Sequence, residues 1–483
     1  MAEFSSRGPP LSDRNFLKPD VTAPGVNILG GNTPDAANGL RGESFQYFSG
    51  TSQSAPEAAG VAALLKEAHP DWSPSALKSA LMTSAYQGVV IDDEDHSPAN
   101  PFDMGAGHID PNKAVEPGLV YDSAFSDHAA YLCGLVEPPF SDAECAALAQ
   151  AGFPSDARDL NLPSIAIAEL ITGDAVTRRV TNVGPPASFT VAVRPPLDME
   201  MFVEPSTLVL GTGQTAEFSV RFVDHSGSRD LWDFGELEWF DGTRSIVSPV
   251  AVQPVTMRPP PELRLSGTSG EVTAPIAFGY AGEYFAGVHG LRAPVLDAAT
   301  GQPPRAFVDD DPSNNFTLPP NISGAPGITA HGLNVPNNQL YLRISLFDEL
   351  TDGNDDLDLY LLYCPTLDNC TQIAESGGFT SDEEINVILP EGGTYIALVH
   401  GFETDQVSGG PGANYSLFTW SFGEIDDVGN LAVTAPAAVA DGDRLDLTVN
   451  WAGLGPSTRY LGAISHNTPA DTYALTIVNI VTP

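Results

Sequence analysis

In the stretch FSGTSQSAPEAAGVAALLKEA, which begins at Phe48, a polar tip of Gly50, Thr51 and Ser52 precedes an alanine-rich apolar run. A serine is a weak nucleophile until a base takes its proton and a set of donors receives the oxyanion it creates. A helix start supplies the second need, because its first N–H groups lack partners and carry the positive end of the dipole. Gly50 lets the backbone approach a substrate closely, and Pro56, in the first turn, removes an N–H that the helix does not use. The chemistry that fits is acyl transfer through Ser52, with Gly50, Thr51 and Pro56 forming its loop. On helix logic alone the same residues read as a Ser/Thr cap, which is the commoner use of a serine there.

A base is harder to find. His108, in GAGHID, lies in the same region, but a histidine between glycines reads first as a turn residue bonded to backbone. His289, His331 and His400 are each followed by glycine and fall in strand-rich sequence far from Ser52. In DGNDDLDLY, Asp352, Asp355, Asp356 and Asp358 are calcium candidates by ligand type. Their spacing misses the EF-hand loop, since Leu357 stands where glycine is needed and Tyr363 at the last ligand position. A solvated acidic turn explains them better, so no cofactor is expected. The four cysteines form two local pairs, Cys133 with Cys145 and Cys364 with Cys370, in loop-like sequence without CxxC spacing. Two short-range disulfides, made in an oxidising compartment, are expected, with four free thiols as the alternative.

The elements that must position these residues fall into successive regions. Residues 1–125 alternate strand-like and helical patterns. KPDVTAPGVNILG reads as a turn into a short apolar strand, and the helix after Ser52, apolar nearly all round, is expected to be buried on every side until His69-Pro70 stops it. Ser73 caps a second helix with Pro74 at its first position, and Leu77, Ala80, Leu81, Ser84 and Ala85 line one face. Residues 126–159 connect, carrying the first cysteine pair. From 160 to 258 the sequence alternates as in a β-sandwich, MRPPPELRL is a proline linker, and strands continue over 262–425 and 426–483. The 483 residues carry 21 Lys and Arg against 62 Asp and Glu, a formal net charge of −41, which argues against nucleic acid and anionic membranes as partners. No apolar run is long enough to span a membrane, and no signal peptide is visible at MAEFSSRGPP.

SGTSQSAPEAAGVAALL resembles the nucleophile motif of the subtilases, the subtilisin-like serine proteases. FSSRGP and LKPDVTAPGVNILGG are similar to the family's segments before that serine, and HPDWSPSALKSALMTSA and MGAGHIDPNKAVEPGLVYD to those after it. YLCGL, DLNLPSIAI, VTRRVTNVGP and FGELEWFDGTRSIVSPVAV resemble the fibronectin-III-like domain that follows the protease in plant-type and related bacterial members. The segment from Asp358 to Trp420 is more loosely similar to a pre-peptidase C-terminal β domain. Glu57 stands where the family motif usually has a histidine that is not the general base.

The resemblance implies a partial α/β peptidase domain followed by two or three all-β, sandwich-like domains. It implies Ser52 as nucleophile of a secreted or cell-surface endopeptidase acting on protein or peptide substrates. The family's aspartate, histidine and oxyanion-hole asparagine all precede the serine. The 51 residues before Ser52 hold no histidine, no Asp-Ser-Gly or Asp-Thr-Gly and no His-Gly-Thr-His. The expectation is a truncated form whose missing partner is the N-terminal half of the peptidase domain. The alternative is a catalytically inactive, β-rich binding or adhesion product carrying a relic of the protease.

Overall fold

The computed structural model describes the chain apart from residues 34, 36–40, 90, 92–95, 136–137, 226–229, 296–304, 312–315, 317–326, 367–368, 405–411 and 424–425. The chain divides into two compact units, Met1–Arg258 and Pro259–Pro483.

The first unit opens with a two-stranded antiparallel hairpin, β1 (Ile28–Gly31) and β2 (Phe45–Phe48), followed by helices α1 (Thr51–Ala68) and α2 (Pro74–Thr83). α2 forms as its sequence directs: the Ser73 hydroxyl accepts from the Ala76 N–H at 2.9 Å, with Pro74 behind it. It is buried on more than the expected face, Ser79, Met82 and Thr83 joining Ala80 and Leu81 in the interior.

α1 departs from expectation. Of its residues only Leu65 is buried, and Leu64 is 64% exposed. Apolar periodicity marks a face that requires a cover, but another part of the chain must supply one. The hairpin shares this exposure. Leu29 pairs with Tyr47, and Phe45 lies on the same outward face; these three are 60%, 70% and 65% exposed. The rest of residues 1–125 is anchored instead. Leu17 and Phe102 pack on Ala166 and Ala251 of the β region, and the Asn15 side chain accepts from the Ala168 N–H at 3.0 Å. Limited digestion with a protease that cuts at large apolar residues should therefore nick β1, β2 and α1 first, while peptides holding Leu17, α2 and Phe102 persist. Loss of all 125 residues in one step would show that this anchoring is absent.

The sandwich expected over 160–258 is present, in two sheets. One has strand order Ile165–Leu170, Ser245–Pro254, Asp233–Phe240, Ala187–Arg194, Thr207–Leu210, with its first pair parallel. The other runs Leu119–Val120, Gly173–Asn182, Thr215–Asp224, Met199–Glu204. Trp239, Phe189, Phe218 and Phe222 fill the core between them. The boundary at 125 requires correction: Leu119–Val120 pairs with Thr181 and Asn182, and the buried Tyr121 hydroxyl meets Ser248 at 2.9 Å. A two-residue strand is too short to show alternation, so the sequence pattern had placed it with the helical region.

The second unit corrects a larger division. Residues 262–425 and 426–483 are not successive modules. Glu262–Ser266 pairs in parallel with Thr472–Val481, Gly270–Phe278 pairs with Arg444–Trp451, and Phe285–Arg292 pairs with Arg459–Asn467. These strands make one discontinuous host sandwich. Within its span sits a second module, with sheets ordered Ile328–Val335, Gly393–Glu403, Asp356–Thr366, Asn369–Ser376 and Glu384–Ile388, Gln339–Ser345, Phe418–Gly423. Its core holds Ile344, Leu359, Leu361, Tyr395 and Val399. Host and insert meet where Tyr341, Phe418, Trp420 and Phe422 pack with Leu461, Ala463 and Ile477.

Candidate active site

Gly50 is the residue before α1, and no side chain caps that helix. The amides of Gln53 and Ser54 turn back to the Gly50 carbonyl, at 3.1 and 3.4 Å, and among the described residues no such partner takes those of Thr51 and Ser52. Ser52 is exposed on the first turn, and its hydroxyl makes no hydrogen bond among the described residues. The cap reading of this serine is thus not what the structure shows, whereas Ser73 is a true cap on α2.

What holds the helix start is a contact that sequence reasoning passed over. The Ser54 hydroxyl donates to the Ala23 carbonyl at 2.9 Å, and the Gly50 N–H donates to the Gly25 carbonyl at 2.8 Å. A Cβ on Gly25 would stand 2.9 Å from the Gly50 carbonyl oxygen and 3.0 Å from the Ser54 Cβ, so only glycine lets the two backbones approach this closely. The TAPG turn is therefore the clamp on the Ser52 loop. Its signal in the sequence was a serine two positions beyond Ser52.

Beside the loop lies a trough of about 520 Å³, bordered by Gly50 and Thr51 and walled by Phe4, Val26, Ala55, Ala58 and Val89. A larger cleft of about 1030 Å³, lined by Gln87, Lys113, Thr243 and Arg244, includes no residue of the Ser52 loop. The smaller space is the one that meets the Ser52 loop, through Gly50 and Thr51, while Ser52 itself is not part of its lining. Pro56 is exposed within α1 and away from the trough wall.

His108 borders the trough too, but its Nδ1 is 3.2 Å from the Ile109 carbonyl and its ring stacks on Tyr86, centroids 4.9 Å apart. That is the turn role read from sequence. His289 lies 3.0 Å from the Ser465 hydroxyl, His331 lies 2.6 Å from the Tyr415 hydroxyl, and His400 is held between carboxylates; all three belong to the second unit.

The cysteines are joined as expected, Cys133 to Cys145 and Cys364 to Cys370. Their setting is more regular than the loops anticipated. The first bridge links the end of helix Phe125–Leu132 to helix Asp142–Gln150, and the second joins paired strands. The acidic run is neither a solvated turn nor a gathered ligand set. Asp355 and Asp358 are buried; the Asp352 carboxylate accepts from the Asn414 amides, and Asp358 accepts from His400 and Tyr360. Among the described residues no three His, Cys, Asp or Glu are arranged to hold a metal.

Residues 1–108 match the model of the subtilase family, and residues 159–252 match that of the fibronectin type-III domain. Residues 1–108 are thus similar to the subtilases, the subtilisin-like serine protease family. It is 42% identical over 285 residues to Subtilisin-like protease SBT1.4 of Arabidopsis thaliana, covering 52% of this chain and 36% of that protein. It is 39% identical over 268 residues to Subtilisin-like protease SBT5.4 of the same plant, covering 52% and 34%. To Subtilisin-like protease Glyma18g48580 of Glycine max it is 38% identical over 270 residues, again covering 52% and 34%. The chain thus spans about a third of the length of these curated relatives.

Proposed function

We propose that Ser52 is the nucleophile of a subtilisin-like serine endopeptidase that cleaves protein or peptide substrates in an oxidising, extracellular setting. The observation that carries this reading is the exposed Ser52 hydroxyl at the uncapped start of α1, on a loop whose Gly50 and Thr51 border an apolar trough. In the reaction a base takes the Ser52 Oγ proton as Oγ attacks the scissile carbonyl, and the Ser52 N–H is placed to receive the oxyanion. The protonated base then passes its proton to the leaving amine, leaving an acyl-enzyme that water hydrolyses. The aspartate, histidine and asparagine for these steps are assigned to polypeptide other than these 483 residues, docking on the uncovered faces of α1 and the hairpin. The disulfides support the extracellular setting.

The second reading, a non-catalytic β-rich binding product, draws on the lack of a base beside Ser52 among the described residues. A fluorophosphonate probe separates the two. With a polypeptide bearing the family's aspartate, histidine and asparagine motifs present, the probe should label the chain, and Ser52→Ala should abolish the label. A soluble, co-purifying complex that stays unlabelled would remove Ser52 as the nucleophile.

A further inference from the structure

His400 lies on strand Gly393–Glu403 of the inserted module and has no exposed surface. A carboxylate stands at each ring nitrogen: Nδ1 is 3.2 Å from an oxygen of Asp358, and Nε2 is 3.0 Å from an oxygen of Asp311. Ionised carboxylates only accept, so both nitrogens must donate, and a ring that donates twice is the imidazolium. Phe316 packs edge-on to this ring at 5.6 Å and stacks on Tyr360 at 3.6 Å, which keeps water out. The two carboxylates come from different places. Asp358 is the ladder partner of His400 on the adjacent strand, and Asp311 belongs to the chain leaving strand Arg305–Val308. That departing stretch is fastened to the same spot. The Asp311 N–H donates to the Gly401 carbonyl at 2.8 Å, and the Asp310 carboxylate accepts from the Thr404 N–H at 3.0 Å and its hydroxyl at 3.1 Å.

We propose that Asp311–His400–Asp358 is a proton-dependent clamp, which holds residues 309–311 against the sheet while the ring is charged and releases them when it is neutral. A neutral ring has one N–H, so one carboxylate then faces a lone pair where water is excluded, and the two contacts cannot coexist. Asp358 is fixed in the ladder and has the Tyr360 hydroxyl at 3.3 Å as well, so the Asp311 side lets go.

The other ionisable groups around the ring act in the same sense. Asp356 on the strand of Asp358, Glu403 on the strand of His400, Glu383 beside strand Glu384–Ile388, and Glu375 opposite Tyr360 are all acidic. Burial by itself would lower the His400 pKa, but hydrogen bonds to Asp358 and Asp311, with their charges, raise it above the ordinary histidine value. A raised histidine contributes stability in full below its unfolded value, and that contribution is lost as pH climbs through the higher folded value. Burial pushes Glu383 up to about 7, with the charges of Asp358 and Asp356 adding to it and bonds from Ser376 and Gly378 opposing. Its effect has the same sign, accumulating between the ordinary glutamate value and about 7 and remaining constant above that.

Hydrogen exchange on the full chain, corrected for intrinsic rate and compared at pH 6 and pH 9, tests the clamp. Peptides carrying the Asp311 and Thr404 amides, which bond across the clamped segment, should lose protection by about tenfold or more, the equivalent of one pKa unit. The same loss should appear in Glu383→Gln, where the neighbouring carboxyl no longer titrates. In Asp311→Asn protection should already be low at pH 6 and flat to pH 9. Unchanged protection in the native chain overturns the proposal. Should Asp311→Asn fail to fold, nitrogen NMR of His400 in the native chain decides: two protonated ring nitrogens at pH 6 support the clamp, and a neutral ring there removes it.

Discussion

Purified on its own, the 483-residue chain is expected to hydrolyse casein no faster than its Ser52→Ala variant. A serine alcohol without a base stays protonated at neutral pH, and loss of triad function costs on the order of 10⁴- to 10⁶-fold in kcat. Here the Ser52 hydroxyl has no hydrogen-bond partner among the described residues. His108, which lines the trough that Gly50 and Thr51 border, is engaged with the Ile109 carbonyl and stacked on Tyr86. The helix-start amides remain, but stabilising an oxyanion has no effect if the nucleophile does not form. Peptidase activity that Ser52→Ala abolishes would reveal a base, and His108→Gln would then be the variant to localise it.

The second large effect is one of stability. Arg343→Ala should destabilise the second unit by roughly 3–5 kcal/mol in urea unfolding, as expected when one partner of a buried pair is removed. The Arg343 side chain is 4% exposed and joins the insert to the host sandwich, its Nη1 and Nη2 lying 3.0 and 3.2 Å from the two oxygens of Glu262. It also donates to Asn386 at 2.7 Å. Burial acts to raise the Glu262 pKa, yet the Arg343 hydrogen bonds and charge outweigh it and hold that carboxyl below its usual range. A depressed carboxylate contributes stability above its unfolded value and loses it as pH falls through the folded one, so the Arg343→Ala penalty should shrink as pH falls below the ordinary glutamate range. Replacing Arg343 and Glu262 together, Arg343→Met with Glu262→Leu, should cost less, because the more buried carboxylate goes with the arginine and its other carboxylate partner, Glu384 at 3.2 Å, is a third exposed and keeps its contact with water. A double variant as damaged as the single one would show that Arg343 acts through packing of its stem.

The local chemistry of the chain was legible, and its long-range pairing was not. Ser73 and Pro74 set the start of α2 from within one turn, and the two cysteine pairs were readable because their partners lie close in sequence. α1 and α2 show where pattern fails. The apolar run at Ala55–Leu65 looked buried on all sides and has only Leu65 buried, whereas α2 looked one-faced and has Ser79, Met82 and Thr83 inside as well. Burial depends on which neighbours are present, and a helix's own sequence does not record them. Glu262–Ser266 likewise carries no local mark of its partner, because a parallel pair needs no turn between its strands. At the site, Gly50 and Ser52 could be read from type and spacing. The Ser54–Ala23 and Gly50–Gly25 bonds could not, since each joins residues that only the fold brings together.

The split host sandwich has a consequence for the order in which the ribosome must deliver this chain. Glu262 pairs with Ile477 and Ala274 with Leu447, so the strands between Glu262 and Arg292 emerge long before their partners exist. The insert, whose main strand pairs lie between Ile328 and Gly423, is complete in the meantime and is free to fold first. Until the last fifty or so residues are translated, the early host strands wait with open edges, the kind of surface on which neighbouring nascent chains aggregate. A stop codon near Leu431 would therefore be far more damaging than the loss of a few short strands implies, leaving a finished insert attached to half a sandwich whose partner strands are never made.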